Sequence, residues 1–115
     1  MPLALIVSSH VAASHVGGTA QASALSLFQI DSMVLPTVLY GRHPGWGAPG
    51  GARVADETLE GILSGIEANG LLAQIDLILT GYFASPEQVR VAAMAIDKAR
   101  GARTGPQPLV IVDPT

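Results

Sequence analysis

A chain of 115 residues can form one domain at most, and at this size it buries a sizeable core only by packing its elements in two or three layers. Hydrophobic residues make up 49% of it and charged ones 13%, which excludes general disorder and suits strands buried on both faces. The net charge of −3 gives no footprint for a polyanion, so nucleic acid is not an expected partner, and the absence of cysteine removes disulfides and thiolate metal sites and makes a reducing cytoplasm the expected location.

In chain order, Met1 and Pro2 lead into the apolar run Leu3 to Val7, which lacks a basic flank and is too short for a signal peptide or a membrane span. Leu3 to Ser8 is predicted as a strand. Gly17 and Gly18 follow, with Thr19 as a candidate N-cap for an alanine-rich helix from Ala20 to about Gln29, in which Leu27 and Phe28 are expected to face inward. Ser32 to Tyr40 reads as a second buried strand. Gly41 to Arg53 is thirteen residues with five glycines and two prolines, a composition that suggests a lid or substrate loop rather than a plain connector.

The second helix is predicted from Leu59, Ile62, Leu63 and Ile66, which recur at helical spacing, with Asp56 as its cap and Asn69-Gly70 as a left-handed stop. Ile75 to Thr80 is the third strand. Ser85 and Gln88 form a capping-box pattern for the third helix, with Pro86 at its first position, Glu87 in the first turn, Lys98 and Arg100 in the last, and Gly101 as the stop. Its apolar stripe is expected to be Val89, Ala92, Ala93 and Ile96. Pro108 to Val112 is the fourth strand. Right-handed crossovers convert this order into an α/β fold, an open, mainly parallel sheet with helices on both faces, spanning 1–115 as a single domain.

Ligands of open α/β sheets bind at the carboxyl ends of the strands, and the unusual polar residues of this chain cluster there. After the first strand come Ser8, Ser9, His10, Ser14, His15, Gly17 and Gly18; after the second come Arg42, His43, Pro44, Gly45 and Trp46; after the third come Gly81 and Tyr82; after the fourth comes Asp113. Two glycines at a helix start let a ligand approach the backbone, or simply make a tight turn, and they match neither a dinucleotide fingerprint nor a P-loop. The three histidines have no cysteine or adjacent carboxylate to complete a metal site, and Ser9, a histidine and Asp113 lack the nucleophile elbow of a hydrolase. Trp46 reads equally as a loop plug, a ligand contact or an interface residue. Tyr82 either stacks on a flat substrate or caps the core, and Asp113 either serves metal-phosphate chemistry or a turn.

Four segments together resemble the pyridoxal kinase family of the ribokinase-like superfamily. Ser9-His10-Val11 followed by His15-Val16-Gly17 is similar to Ser-His-Val-x-x-Gly-His-x-Gly-Asn; Thr37-Val38, then His43 and Gly47, to Thr-Val-Gln-Phe-Ser-Asn-His-Thr-x-Tyr-Gly; Thr80-Gly81-Tyr82 to Ser/Thr-Gly-Tyr; and Asp113-Pro114 to the start of Asp-Pro-Val-x-Gly-Asp. The resemblance implies a ribokinase-like, Rossmann-like three-layer fold and the ATP-dependent phosphorylation of the 5′-hydroxymethyl group of pyridoxal and related B6 vitamers. It also implies Mg2+ with K+ as a second cation, a homodimer, a cytoplasmic setting and no membrane partner. Carried over, Ser9 binds the polar edge of the pyridine ring, His43, Pro44, Gly45 and Tyr82 line its pocket, and Asp113 lies near nucleotide phosphates and cations without being a direct metal ligand.

The sequence departs from the family pattern at Ser14, Gly18, the stretch Leu39 to Arg42, and Pro44, which stands for a substrate-holding threonine. A hydroxymethylpyrimidine kinase is therefore the neighbouring enzyme reading, and a non-catalytic B6-binding module the reading from another class. No Gly-x-Gly-Asp segment, which supplies the family's general base and anion hole, occurs in the chain. The expectation is the amino-terminal, substrate-binding half of such a kinase, with no catalytic residue of its own and no activity alone.

Overall fold

The structure, a computed structural model, describes residues 2–13 and 15–114. Five strands form one sheet: β1 (Leu3–Val11), β2 (Asp31–Tyr40), β3 (Ala52–Arg53), β4 (Leu77–Thr80) and β5 (Leu109–Val112), in the order β3-β2-β1-β4-β5. All neighbours pair in parallel except β2 and β3, which are antiparallel through Val38↔Arg53 and Leu39↔Ala52. Three helices join them: α1 (Gly17–Leu27), α2 (Asp56–Ala68) and α3 (Pro86–Ala102).

The chain leaves β1 through α1 to reach β2 on one side, then crosses back through α2 and β4 to the other side. Because crossovers keep one hand, a reversal of direction moves the connecting helix to the opposite face. Alternation along β1 records both layers. Leu5 and Val7 enter a core with Leu35, Leu59, Leu63, Ile78, Val91, Ala95 and Ala99, the layer of α2 and α3. Ile6, equally buried, faces α1, where Gly18 lies against Val34 and Ile6. The doubly covered parallel sheet expected from the apolar runs is therefore what forms.

Local signals place the ends of α2 and α3 well. Gly70 takes the left-handed conformation, φ +70°, that ends α2, and Ser85 Oγ accepts the Gln88 N–H at 3.3 Å to cap α3 behind Pro86. Several expectations need correction. Asp56 is the first residue of α2 rather than its cap, so its charge and that of Glu57 sit in the first turn, where the helix dipole favours them. Thr19 does not cap α1, which begins at Gly17 with no side-chain cap. Leu27 and Phe28 face outward, 83% and 77% exposed, because α1 ends there and Gln29 turns away at φ +59°. Along α3 the buried positions are Gln88, Val91, Ala92, Ala95 and Ala99, whereas Val89 and Ala93 are exposed, and the helix passes Gly101 to end at Ala102.

The glycine-rich stretch carries a strand the sequence did not announce. β3 doubles back along β2, and Gly41 and Arg42 both donate backbone hydrogen bonds to Pro49 O, at 2.9 and 3.2 Å. Gly51 is required in this return, at φ +71°, because any Cβ would overlap the Leu39 carbonyl.

Candidate functional site

The sheet reverses its winding around β1, and at the carboxyl ends of β1, β2 and β4 a cleft of about 470 Å³ opens at this switch point. It has an apolar lining with a few convergent polar groups, the usual character of a small-molecule site.

β1 supplies Ser8 and Ser9, both buried. The pairing of β1 with β2 slips between Ser8 and His10, so that Ser8 faces Pro36 but His10 faces Leu39, a bulge that re-aims the chain beside Ser9. Gly17 packs so closely on this turn, at φ +57°, that a Cβ would overlap Ser9 Oγ. Gly81 plays the same part for Ser8, whose Oγ lies 2.5 Å from the point where its Cβ would stand. The glycines therefore set the floor of the cleft by close approach.

Tyr82 is held through its backbone. Its N–H donates to Ser8 Oγ at 3.3 Å, and its carbonyl accepts from Thr37 Oγ1 at 2.9 Å, which ties the end of β4 to β1 and β2 and leaves the half-exposed ring free to form a wall. His43 is fixed from the opposite side: its Nδ1 accepts the Gly45 N–H at 2.9 Å, which puts the proton of a neutral imidazole on Nε2 as a donor. Asp113 follows β5, donates its backbone N–H to Thr80 O at 2.9 Å, and contributes the one carboxylate among the described lining residues. It also borders a smaller hollow of about 190 Å³ beside Phe83 and Pro114.

Ser9, His43, Pro44 and Tyr82, named from sequence, thus line one cleft together with Asp113. Gly45 does not; it stands behind His43 and orients it. His10, His15 and Trp46 are exposed and absent from the lining, so the plug reading of Trp46, 68% exposed, does not hold. Ser14 lies outside the described residues. Among the described residues no three His, Asp or Glu side chains gather as a metal cage, and no helix is long and apolar enough to cross a membrane. Sequence reasoning missed Gln21 and Tyr40, both in the lining; for Gln21 the available signal was a polar side chain one turn past Gly17 in an otherwise alanine-rich run.

No protein-family model matches the chain. A pyridoxine/pyridoxal/pyridoxamine kinase from Bordetella avium is 37% identical over 108 residues, which cover 94% of this chain and 36% of that protein. A pyridoxal kinase from Leishmania donovani, in complex with ADP and ginkgotoxin, superposes with a TM-score of 0.91 at 27% identity over 98% of this chain and 40% of its own. The chain belongs to the pyridoxal kinase family. It spans a little over a third of the length of these curated relatives, 36–38%. A protein from Bacteroides thetaiotaomicron named as a phosphomethylpyrimidine kinase also superposes, with a TM-score of 0.84, but at 21% identity that likeness carries the fold alone. The Leishmania kinase is also known in complex with ADP and pyridoxamine, at a TM-score of 0.90 to this chain.

Proposed function

We propose that this chain is the substrate-binding part of a kinase that transfers the terminal phosphoryl group of ATP to the 5′-hydroxymethyl group of pyridoxal and related B6 vitamers. The observation that carries this reading is the convergence of Ser9, His43, Pro44 and Tyr82, from three separate connections, on one cleft at the switch point of the sheet. The Ser9 hydroxyl can donate to or accept from the polar edge of a pyridine ring, His43 Nε2–H adds a donor, and the Tyr82 ring offers a flat apolar face. Pro44 closes the same edge without a hydroxyl of its own.

Phosphoryl transfer depends mostly on positioning and charge neutralisation. Mg2+ keeps several waters and is held largely by substrate phosphates, and Asp113, a carboxylate in the cleft lining with no ion pair among the described residues, would bind those waters from the outer sphere; K+ would serve as the second cation. ATP would approach from this side. The parent protein would act as a cytoplasmic homodimer. The chain alone turns over no substrate, because its 115 residues contain no Gly-x-Gly-Asp segment to supply a base and an anion hole.

The test is a chimera in which this chain replaces the matching segment of the Bordetella avium kinase. ATP-dependent phosphorylation of pyridoxal by the chimera, lost when Tyr82 and Ser9 are both replaced by alanine, is the expected result. A folded chimera that binds vitamers yet transfers nothing would leave a B6-binding module, and one that binds none of them would overturn the reading altogether.

A further inference from the structure

The loop that brings His43 and Pro44 to the cleft is closed on itself. Its ends meet where Gly41 and Arg42 both donate backbone hydrogen bonds to Pro49 O. Inside it, the Trp46 N–H bonds His43 O at 3.0 Å and the Gly47 N–H bonds Pro44 O at 3.2 Å, a short turn built on the two cleft residues themselves. A compact loop with joined ends takes its shape from the side chains it packs within it.

Arg42 is the side chain that spans this loop. Its Nε donates to Ala48 O at 2.8 Å, and its guanidinium lies against Gly47, where a Cβ would come within 2.6 Å of Nη2 and 3.0 Å of Cζ. Gly47, at φ +128°, leaves the room for it. Arg42 is exposed, is absent from the cleft lining and pairs with no carboxylate among the described residues. Water satisfies an exposed guanidinium almost as well as a carbonyl does, so this bond adds little to the stability of the domain. What it restricts is the loop: among the described residues it is the side-chain bond that joins the limb leading to His43 to the limb returning from Trp46.

We propose that Arg42 is a positioning residue for substrate binding, its side chain crossing its own loop to Ala48 O and so holding His43 and Pro44 at the cleft before a ligand arrives. A loop already ordered in its binding conformation has less freedom to lose when the ligand binds. The inference rests on the reading of the cleft as a B6-vitamer site, but the bracing is measurable without a ligand.

Two substitutions of similar length separate the hydrogen bond from the charge. Arg42→Gln places an amide Nε2 donor where arginine has Nε, Arg42→Met places a methyl group there, and both remove the positive charge. Trp46, the only tryptophan of the chain, sits in the loop and reports its motion through time-resolved fluorescence anisotropy. In the ligand-free full chain, Arg42→Met should add a faster nanosecond component to the Trp46 decay and leave the melting temperature unchanged. Calorimetric titration should show this variant binding pyridoxal about fivefold more weakly, the factor that about 1 kcal/mol confers. Arg42→Gln should keep the parent decay and bind pyridoxal within about twofold of the parent chain. Parent affinity in the Met variant would overturn the inference, and so would an unaltered Trp46 decay in that variant. Equal losses of affinity in both variants would assign the role to charge, and a lower melting temperature in the Met variant would assign it to general stability; either result overturns the inference while the proposed function stands. A parent chain that binds no vitamer defeats the proposed function and this inference with it.

Discussion

Gly17 shows how a single backbone position can control the cleft. Its φ of +57° is a conformation that costs an L-residue roughly 1–2 kcal/mol, and its α-carbon stands so near β1 that a methyl group would overlap Ser9 Oγ and come within 3.0 Å of Ser9 O. Gly17→Ala is therefore expected to lower the melting temperature and to weaken pyridoxal binding at least tenfold, since Ser9 must move to admit the methyl; calorimetry that finds full affinity would show that Ser9 does not touch the ligand. Asp76 illustrates a residue with a purely structural charge. Its carboxylate accepts the Leu3 N–H at 2.9 Å and pairs with Arg103 at 2.6 Å, and these two partners, the backbone bond foremost, hold its pKa below the ordinary carboxylate value. A lowered folded value means that the unfolded chain takes up its proton first as pH falls. The contribution of Asp76 is thus complete above about pH 4 and disappears as pH drops through the lowered value. Melting temperatures of the parent chain and Asp76→Asn should accordingly differ at pH 7 and converge once the pH falls below the lowered value, with a gap that shrinks in high salt because the carboxylate is partly exposed.

Gln88 joins three elements, and it marks the limit of what could be read from the chain. The pattern Ser85-x-x-Gln88 predicts a local cap, and Ser85 does cap α3, but the Gln88 side chain accepts from Ala84 and donates to Thr37 and Val54, partners 51 and 34 residues away. Thr37 in turn holds the Tyr82 carbonyl, so this amide braces both the return of the glycine-rich stretch and the wall of the cleft. Gln88→Leu takes the amide away from the Val54 carbonyl and the Ala84 N–H, while Thr37 O keeps the Val54 N–H at 2.9 Å, and should cost about 1–3 kcal/mol in denaturant unfolding, with vitamer affinity falling as Tyr82 loosens; a loss under about 0.5 kcal/mol would show that water replaces the amide. Signals that act within a turn were legible: Gly70, Pro86 and Ser85 fix helix ends wherever the rest of the chain lies. The positions of Ser9, His43, Tyr82 and Asp113 were legible too, because the topology sends the carboxyl ends of the four parallel strands to one rim. What depends on tertiary packing was not. Leu27 and Phe28 have the composition of core residues but lie exposed at the end of α1, β3 forms by pairing back on the edge of β2, and the role of Gly45 behind His43 has no mark in local spacing.

The two margins of the sheet are finished differently, and the difference governs how the whole molecule behaves in solution. At one margin β3, two residues long and preceded by two glycines with positive φ, covers β2 at Val38 and Leu39 with a short irregular edge. At the other, β5 presents four apolar residues, and Leu109 and Ile111 remain 62% and 44% exposed. They continue the row of Leu77 and Leu79 on the face that bears α1, but α1 packs on β1 and β2 and stops short of them. An unpaired backbone edge flanked by exposed apolar side chains is a template for association. The chain should therefore sediment as a species heavier than its 11.8 kDa monomer as concentration rises. Ile111→Lys places a charge on that row, outside the lining of the cleft, and should restore the monomer with a stability change within about 0.5 kcal/mol and unaltered vitamer affinity. Sedimentation velocity across a hundredfold range of concentration decides the matter: a parent chain that stays monomeric throughout, or a Lys variant that associates just as strongly, would remove β5 as the cause, whereas a shift confined to the parent chain would identify this edge as the cause of association in the 115-residue chain.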